Sequence, residues 1–148
     1  MKLDLKKLEL RSVNQKLQNL DKTQSEKDFT ISNPAGCHAL CVGLQDKIDV
    51  IINGHVGYYC AGMNKNANIT INGNAGTGVA ENMMSGIVHV TGSASQSAGA
   101  TAHGGLLIID GNASSRCGIS MKGADIVVKG SVGPVSYTHL RAHETFAN

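Results

Sequence analysis

Between Asp49 and Gly133 the apolar and polar positions keep one rhythm. Alternating apolar pairs, Val50/Ile52, Ile69/Ile71, Val88/Val90, Leu107/Ile109 and Ile126/Val128, each end two residues before a glycine. Those glycines are Gly54, Gly73, Gly92, Gly111 and Gly130, always nineteen residues apart. Two residues after each stands Val56, Ala75, Ala94, Ala113 or Val132. Alternation over four or five residues, rich in β-branched side chains and closed by glycine, predicts a short half-buried strand and a corner. The corner glycine is expected to use its access to positive φ. A unit this small cannot bury its own apolar face, so successive units must stack, and inward residues then form ladders. The fold expected is all-β, a right-handed parallel β-helix with 19-residue coils; the hand follows from the general preference of parallel crossovers.

The first 28 residues carry no glycine and read differently. Ser12-Val13-Asn14-Gln15 has the form of a capping box, and Val13, Leu17 and Leu20 follow at helical spacing, predicting a short amphipathic helix that ends near Asp21. Leu3-Asp4-Leu5 and Leu8-Glu9-Leu10 alternate and are expected to be extended. Lys22 to Asp28 reads as a polar linker. Phe29-Thr30-Ile31 opens a degenerate first coil turned at Asn33-Pro34, with Ala39 to Val42 as its second strand. The expected division is a cap and linker over 1–28, a β-helix domain over 29–133 and a tail over 134–148. The helix is expected to cover the open end of the solenoid. The tail run Val135 to Thr145 lacks glycine and strand pattern and resembles the in-frame translation of a transposon-type sequencing adapter, a non-native segment to be left out of fold reasoning.

Composition fits this picture. Aromatic residues make up 3% of the chain, with no Trp, too few for an ordinary globular core but enough where Ile, Val and Ala ladders fill a narrow coil. Residues 29–134 carry five basic and five acidic side chains, a balance that points to neither nucleic acid nor an anionic membrane. No apolar run approaches the ~20 residues of a membrane span, and a cytoplasmic location is the expectation.

Candidate chemistry is sparse. Cys60 and Cys117 share one repeat position three coils apart, roughly 14 Å, too far for a disulfide. Cys37-His38-Ala39-Leu40-Cys41 puts two thiols and an imidazole on one short segment without a matching second half, so no metal site is expected. Gly73-Asn74-Ala75-Gly76-Thr77-Gly78 imitates a phosphate loop, but its glycines recur as coil corners and no helix start follows. His38, His55, His89 and His103 stand at no spacing that implies a relay with Ser or Asp, and Glu81 and Asp110 occupy different repeat positions. His55 is read as an exposed corner residue. Arg116 and Lys122 are read as solvated surface groups. The residue three before each glycine should point outward: Ile51, Thr70, His89, Ile108 and Val127. Ile51, Ile108 and Val127 are large and apolar on that face and mark a partner interface, or a seat for the N-terminal segment.

Gly54-His55-Val56-Gly57-Tyr58-Tyr59-Cys60-Ala61-Gly62-Met63-Asn64 resembles the C-terminal GXGXG domain of glutamate synthase large subunits. So do Ala80 to Gly86, Ser95 to Ala100 and, most specifically, Ala113-Ser114-Ser115-Arg116-Cys117-Gly118-Ile119-Ser120-Met121-Lys122-Gly123. The likeness covers Ser12 to Gly133 and is nearest to the version built as a separate small subunit, as in N-methylglutamate synthase (methylamine–glutamate N-methyltransferase). The C subunit of formylmethanofuran dehydrogenase is a more distant relative and the alternative assignment, beside an independent β-helix scaffold. The resemblance implies a non-catalytic, structural domain that carries no cofactor. It braces a glutamine amidotransferase subunit and an FMN-binding glutamate synthase subunit, with FMN and an iron–sulfur cluster in those partners. The residues agree with that division. Lys2 follows Met1 where an amidotransferase would need an N-terminal cysteine, and an FMN barrel would need about 250 residues. A hexapeptide acyltransferase is a poorer match, because nineteen is not a multiple of six.

Overall fold

The structure, a computed structural model, describes residues 1–136. Most of the adapter-like run, from Tyr137 on, lies outside the described residues. Seven strands form one all-parallel sheet in chain order: β1 (Lys2–Asp4), β2 (Asp28–Ser32), β3 (Asp49–Asn53), β4 (Asn68–Asn72), β5 (Ile87–Val90), β6 (Leu106–Ile109) and β7 (Asp125–Val128). The one helix among the described residues, α1 (Leu10–Gln18), lies between β1 and β2. From β3 to β7 each residue pairs with the one nineteen further on, as in Val50 with Ile69 and Ile108 with Val127. The chain is therefore a parallel β-solenoid, as the period requires.

Within each strand the burial alternates. Val50, Ile52, Ile69, Ile71, Val88, Val90, Leu107, Ile109, Ile126 and Val128 are all buried and stack as two ladders. A third ladder, Val56–Ala75–Ala94–Ala113–Val132, is joined by single parallel bridges just past the corners.

The corner glycines are needed for a different reason from the one expected. Only Gly54 has positive φ, at 139°. At Gly73, Gly92, Gly111 and Gly130 the constraint is space. A Cβ on Gly111 would lie 2.7 Å from the Gly92 carbonyl oxygen and 2.4 Å from Ser93 Oγ, and one on Gly73 would lie 2.6 Å from the Gly54 oxygen. The backbones touch at the later corners, where the N–H of Gly92, Gly111 and Gly130 each donates to the corner carbonyl one coil back, as Gly111 N does to Gly92 O at 2.8 Å. Beside this contact runs a side-chain ladder. His55 Nδ1, Asn74 Oδ1, Ser93 Oγ and Asn112 Oδ1 each accept the backbone N–H of the residue nineteen further on.

After the third ladder each coil turns through a run in which every second residue is left-handed: Tyr59, Ala61 and Met63; Gly78, Ala80 and Asn82; Ser97, Gly99 and Thr101; Arg116, Gly118 and Ser120. Their N–H groups point alternately along the stack. Tyr59 and Met63 donate to Thr77 and Glu81 in the next coil, while Ala61 donates to Leu40 in the previous one. The middle position of these four runs is Ala or Gly; at one of them a Cβ on Gly99 would lie 2.6 Å from Ile126 Cδ1. Ala39 to Val42 belongs to such a run, with Ala39 and Cys41 at φ 58° and 59°, so the second strand expected there does not form.

The N-terminal segment closes the first coil. Val13 and Leu17 are buried in the common core, and β1 adds to β2 in parallel. Asn14 Oδ1 accepts the Cys41 N–H at 2.7 Å, the place that a previous coil's carbonyl takes elsewhere. Gln18 Nε2 donates to Val42 O at 2.8 Å, standing in for a previous coil's N–H. Two side-chain amides thus reproduce part of a missing coil, and the sheet-end carbonyls and amides avoid burial without partners. The capping box does not form: α1 starts at Leu10 behind Glu9, with no side-chain cap, and Ser12 lies inside the helix. Leu8 sits in the connecting loop and Leu10 in α1, so of the two extended pieces expected only Leu3-Asp4-Leu5 contributes a strand.

Candidate functional site

The outer face of the sheet carries side chains that the core does not use. Along it, Ile51 is 41% exposed and Ile87 37%, while Leu106, Ile108 and Val127 are half-buried. Ile87 pairs with Leu106, and Ile108 with Val127, so these four form one apolar patch across β5, β6 and β7. Ile51 stands apart on β3, between the polar side chains of Asp49, Asn53 and Thr70. The N-terminal segment packs at the end of the solenoid through Val13 and Leu17 and leaves Ile51 exposed, so it is not seated on this face.

Beside the patch lies a charged cluster that the spacing argument did not foresee. His89 Nε2 is 2.9 Å from Asp110 Oδ2, and Lys129 Nζ is 3.1 Å from Asp110 Oδ1. Partial burial alone would raise the Asp110 carboxyl, but the hydrogen bonds from His89 and Lys129 outweigh it and hold the group below the usual carboxylate range. The linear spacing of the histidines, which implied no relay with Ser or Asp, did not reveal this pair. Folding sequence onto coils would have found the pair, because outward positions three and one before the corner glycine are diagonal neighbours on adjacent strands.

The remaining chemistry-bearing groups are dispersed or used in the fold. All four cysteines are free; Cys41, Cys60 and Cys117 are buried and Cys37 half-buried. Burial pushes the Cys117 thiol up to about 12 and raises the thiols of Cys37, Cys41 and Cys60 as well, which disfavours the nucleophilic thiolate. His38 turns outward, stacks on Tyr58 with ring centres 4.3 Å apart, and accepts the Tyr58 N–H on Nδ1. It therefore does not converge with Cys41, which is fully buried. Among the described residues no group of three or more His, Cys, Asp or Glu could hold a metal ion. His55 is an exposed corner residue whose Nδ1 is taken by Asn74 N–H. His103, Arg116 and Lys122 are exposed. Glu81 is half-buried, and desolvation raises its carboxyl. Gly73 to Gly78 runs from a corner into a left-handed turn, with no helix after it.

Over 57 residues the chain is 54% identical to Protein GlxC of Rhizobium meliloti (strain 1021). That stretch is 38% of this chain and 25% of that protein. No family model and no solved structure matches the chain. No helix among the described residues is long and apolar enough to cross a membrane.

Proposed function

We propose that this chain is a structural subunit or domain of a glutamate-synthase-like complex, without catalytic residues of its own. It would hold a glutamine amidotransferase and an FMN-dependent synthase in register, with FMN and the iron–sulfur cluster carried by those partners. The observation that supports this best is the use made of the most specific shared run, Ala113 to Gly123. Its residues supply the third ladder, the left-handed turn and the buried Cys117, all of them parts of a coil. The family resemblance therefore rests on coil-building residues, as it should if the coil itself is the function. The half-exposed apolar patch gives such a scaffold a face to present; in this reading Ile108 and Val127 within it, and Ile51 apart from it on β3, are the interface residues.

Co-expression with the amidotransferase and FMN subunits of a glutamate-synthase-like complex tests the proposal. The three should co-purify, and the lone chain should show neither flavin absorbance nor ammonia release from glutamine. Ile108→Glu should reduce partner recovery while the isolated chain keeps its melting temperature. Equal recovery would remove this face as the interface, and activity in the lone chain would overturn the scaffold reading. Assay of the assembled complex with ammonia and with methylamine then separates glutamate synthase from methylamine–glutamate N-methyltransferase. Recovery instead with a molybdenum or tungsten enzyme would favour the formylmethanofuran dehydrogenase alternative.

A further inference from the structure

A second surface lies at the capped end. The loop from β1 to α1 faces the Asn33–Gly36 turn across two adjoining depressions of about 580 and 650 Å³, which share Leu5, Lys6, Asn33, Pro34 and Ala35. Leu8, also on the wall, is 41% exposed and adds to the apolar lining made by Leu5, Leu10 and Pro34. The turn is tied to β1. Asn33 is left-handed at φ 58° and donates from Nδ2 to Asp4 Oδ1, and Ala35 is left-handed at φ 47°. The groove is thus preformed, with an apolar floor and a rim of Lys6, Lys7 and Glu9.

Charge gives the occupant. Residues 1–28 carry seven basic and five acidic side chains, so the chain's whole net charge of +2 resides in this segment. Most of its acids are engaged locally. Asp4 accepts from Lys6 N–H and Asn33, Asp21 from Thr23, and Glu26 from the Asp28 N–H while it pairs with the terminal amine. Lys6 and Lys7 are exposed and make no ion pair among the described residues. We propose that this groove docks an extended acidic segment of a partner protein, its apolar side chains set against Leu5, Leu8 and Pro34 and its carboxylates against Lys6 and Lys7. Rim charges of this kind steer and select more than they tighten, so the complex should be salt-sensitive.

The test uses the isolated chain and does not depend on the glutamate-synthase reading. The probes are three labelled peptides of one length: alternating Glu and Leu, alternating Lys and Leu, and alternating Glu and Ser. The Glu–Leu peptide should bind, progressively more weakly as salt rises, and the other two should not. Lys6→Glu with Lys7→Glu should weaken it by about tenfold or more, and Leu8→Ser should weaken it at every salt concentration. All three positions are exposed, so the melting temperature should hold, and amide shifts on binding should map to Leu8, Ala35 and His55. Binding unchanged by the lysine pair overturns the proposal, as does equal binding of the Glu–Ser peptide. Binding to phosphatidylserine vesicles without binding to the peptide overturns it in favour of a membrane surface.

Discussion

The two sides of a coil are held by opposite means. On the strand side the backbone is ordinary, and stability comes from the closed ladders of Val, Ile and Leu, each side chain contributing about 1.5–3 kcal/mol by leaving water. On the turn side four residues in each coil sit at positive φ, many of them not glycine: Tyr59, Ala61, Met63, Asn66, Ala80, Asn82, Ser97, Thr101, Arg116 and Ser120. Each costs about 1–2 kcal/mol in that region. Most also make an inter-coil hydrogen bond such as Asn82 N to Ala100 O at 2.9 Å, with a net value of about 0.5–1.5 kcal/mol. The two nearly cancel. The turn side therefore sets the shape and the strand side supplies the stability, and the corner glycines are where the two meet without room to spare.

Substitutions at the meeting point should have the largest effect. Gly111→Ala places a methyl against the Gly92 carbonyl, a backbone atom that cannot step aside, and should cost about 3 kcal/mol. Gly36→Ala is the contrast: it meets nothing within 4 Å, and only its φ of 70° opposes the change, so about 1 kcal/mol is expected. Urea melts of the two variants measure the difference, and equal losses would show that close approach does not govern the corners. Next comes Ala94→Leu. Ala94 is bridged to Ala75 and Ala113 and is 6% exposed, so overpacking should cost about 1–3 kcal/mol. An unchanged melt would place this ladder in solvent.

The turn side should respond in the other direction. Ser120 is exposed at φ 57°. Ser120→Gly relieves about 1–2 kcal/mol of left-handed strain and adds about 0.5–1 kcal/mol of unfolded-state entropy, for a net gain of about 0.5 kcal/mol. A loss of stability would mean that the serine side chain contributes more than its backbone costs.

These differences explain what could be read in advance. The strands, their register and their parallel order follow from Val50, Ile69, Val88, Leu107 and Ile126 at a fixed period, because a two-residue alternation can be satisfied in few ways. The left-handed runs could not be read, because they are written mostly in Ala, Ser, Tyr and Arg, whose local preference is against that conformation and which adopt it only once neighbouring coils accept their N–H groups. The N-terminal cap was legible as a cap, since Val13 and Leu17 have helical spacing, but not as a mimic of a coil. That role depends on Asn14 and Gln18 reaching Cys41 and Val42 across the fold. The apolar patch was half legible: Ile108 and Val127 fall in one outward column, whereas Ile87 and Leu106 lie in the next column, which carries Asp49, Asn68 and Asp125 on other strands.

The smallest effect is expected on the outer strand face, at Asp110. Its carboxylate joins His89 on β5 to Lys129 just past β7, all three at least partly exposed, so water screens the cluster and Asp110→Asn should cost no more than about 1 kcal/mol. The pH dependence has a definite sign. The folded carboxyl titrates below its ordinary value of 3.8, so the folded state binds fewer protons than the unfolded chain in that range. The contribution is therefore complete above the unfolded value and disappears as pH falls through the lower folded one. Wild type and Asp110→Asn should differ in melting temperature at pH 7 and converge toward pH 2. Salt should shrink the difference at pH 7, as it should not for Gly111→Ala or Ala94→Leu, whose costs are steric. A salt-independent gap that survives acid would mean that Asp110 acts through packing, and that the outer face shares in the stability assigned here to the inner ladders.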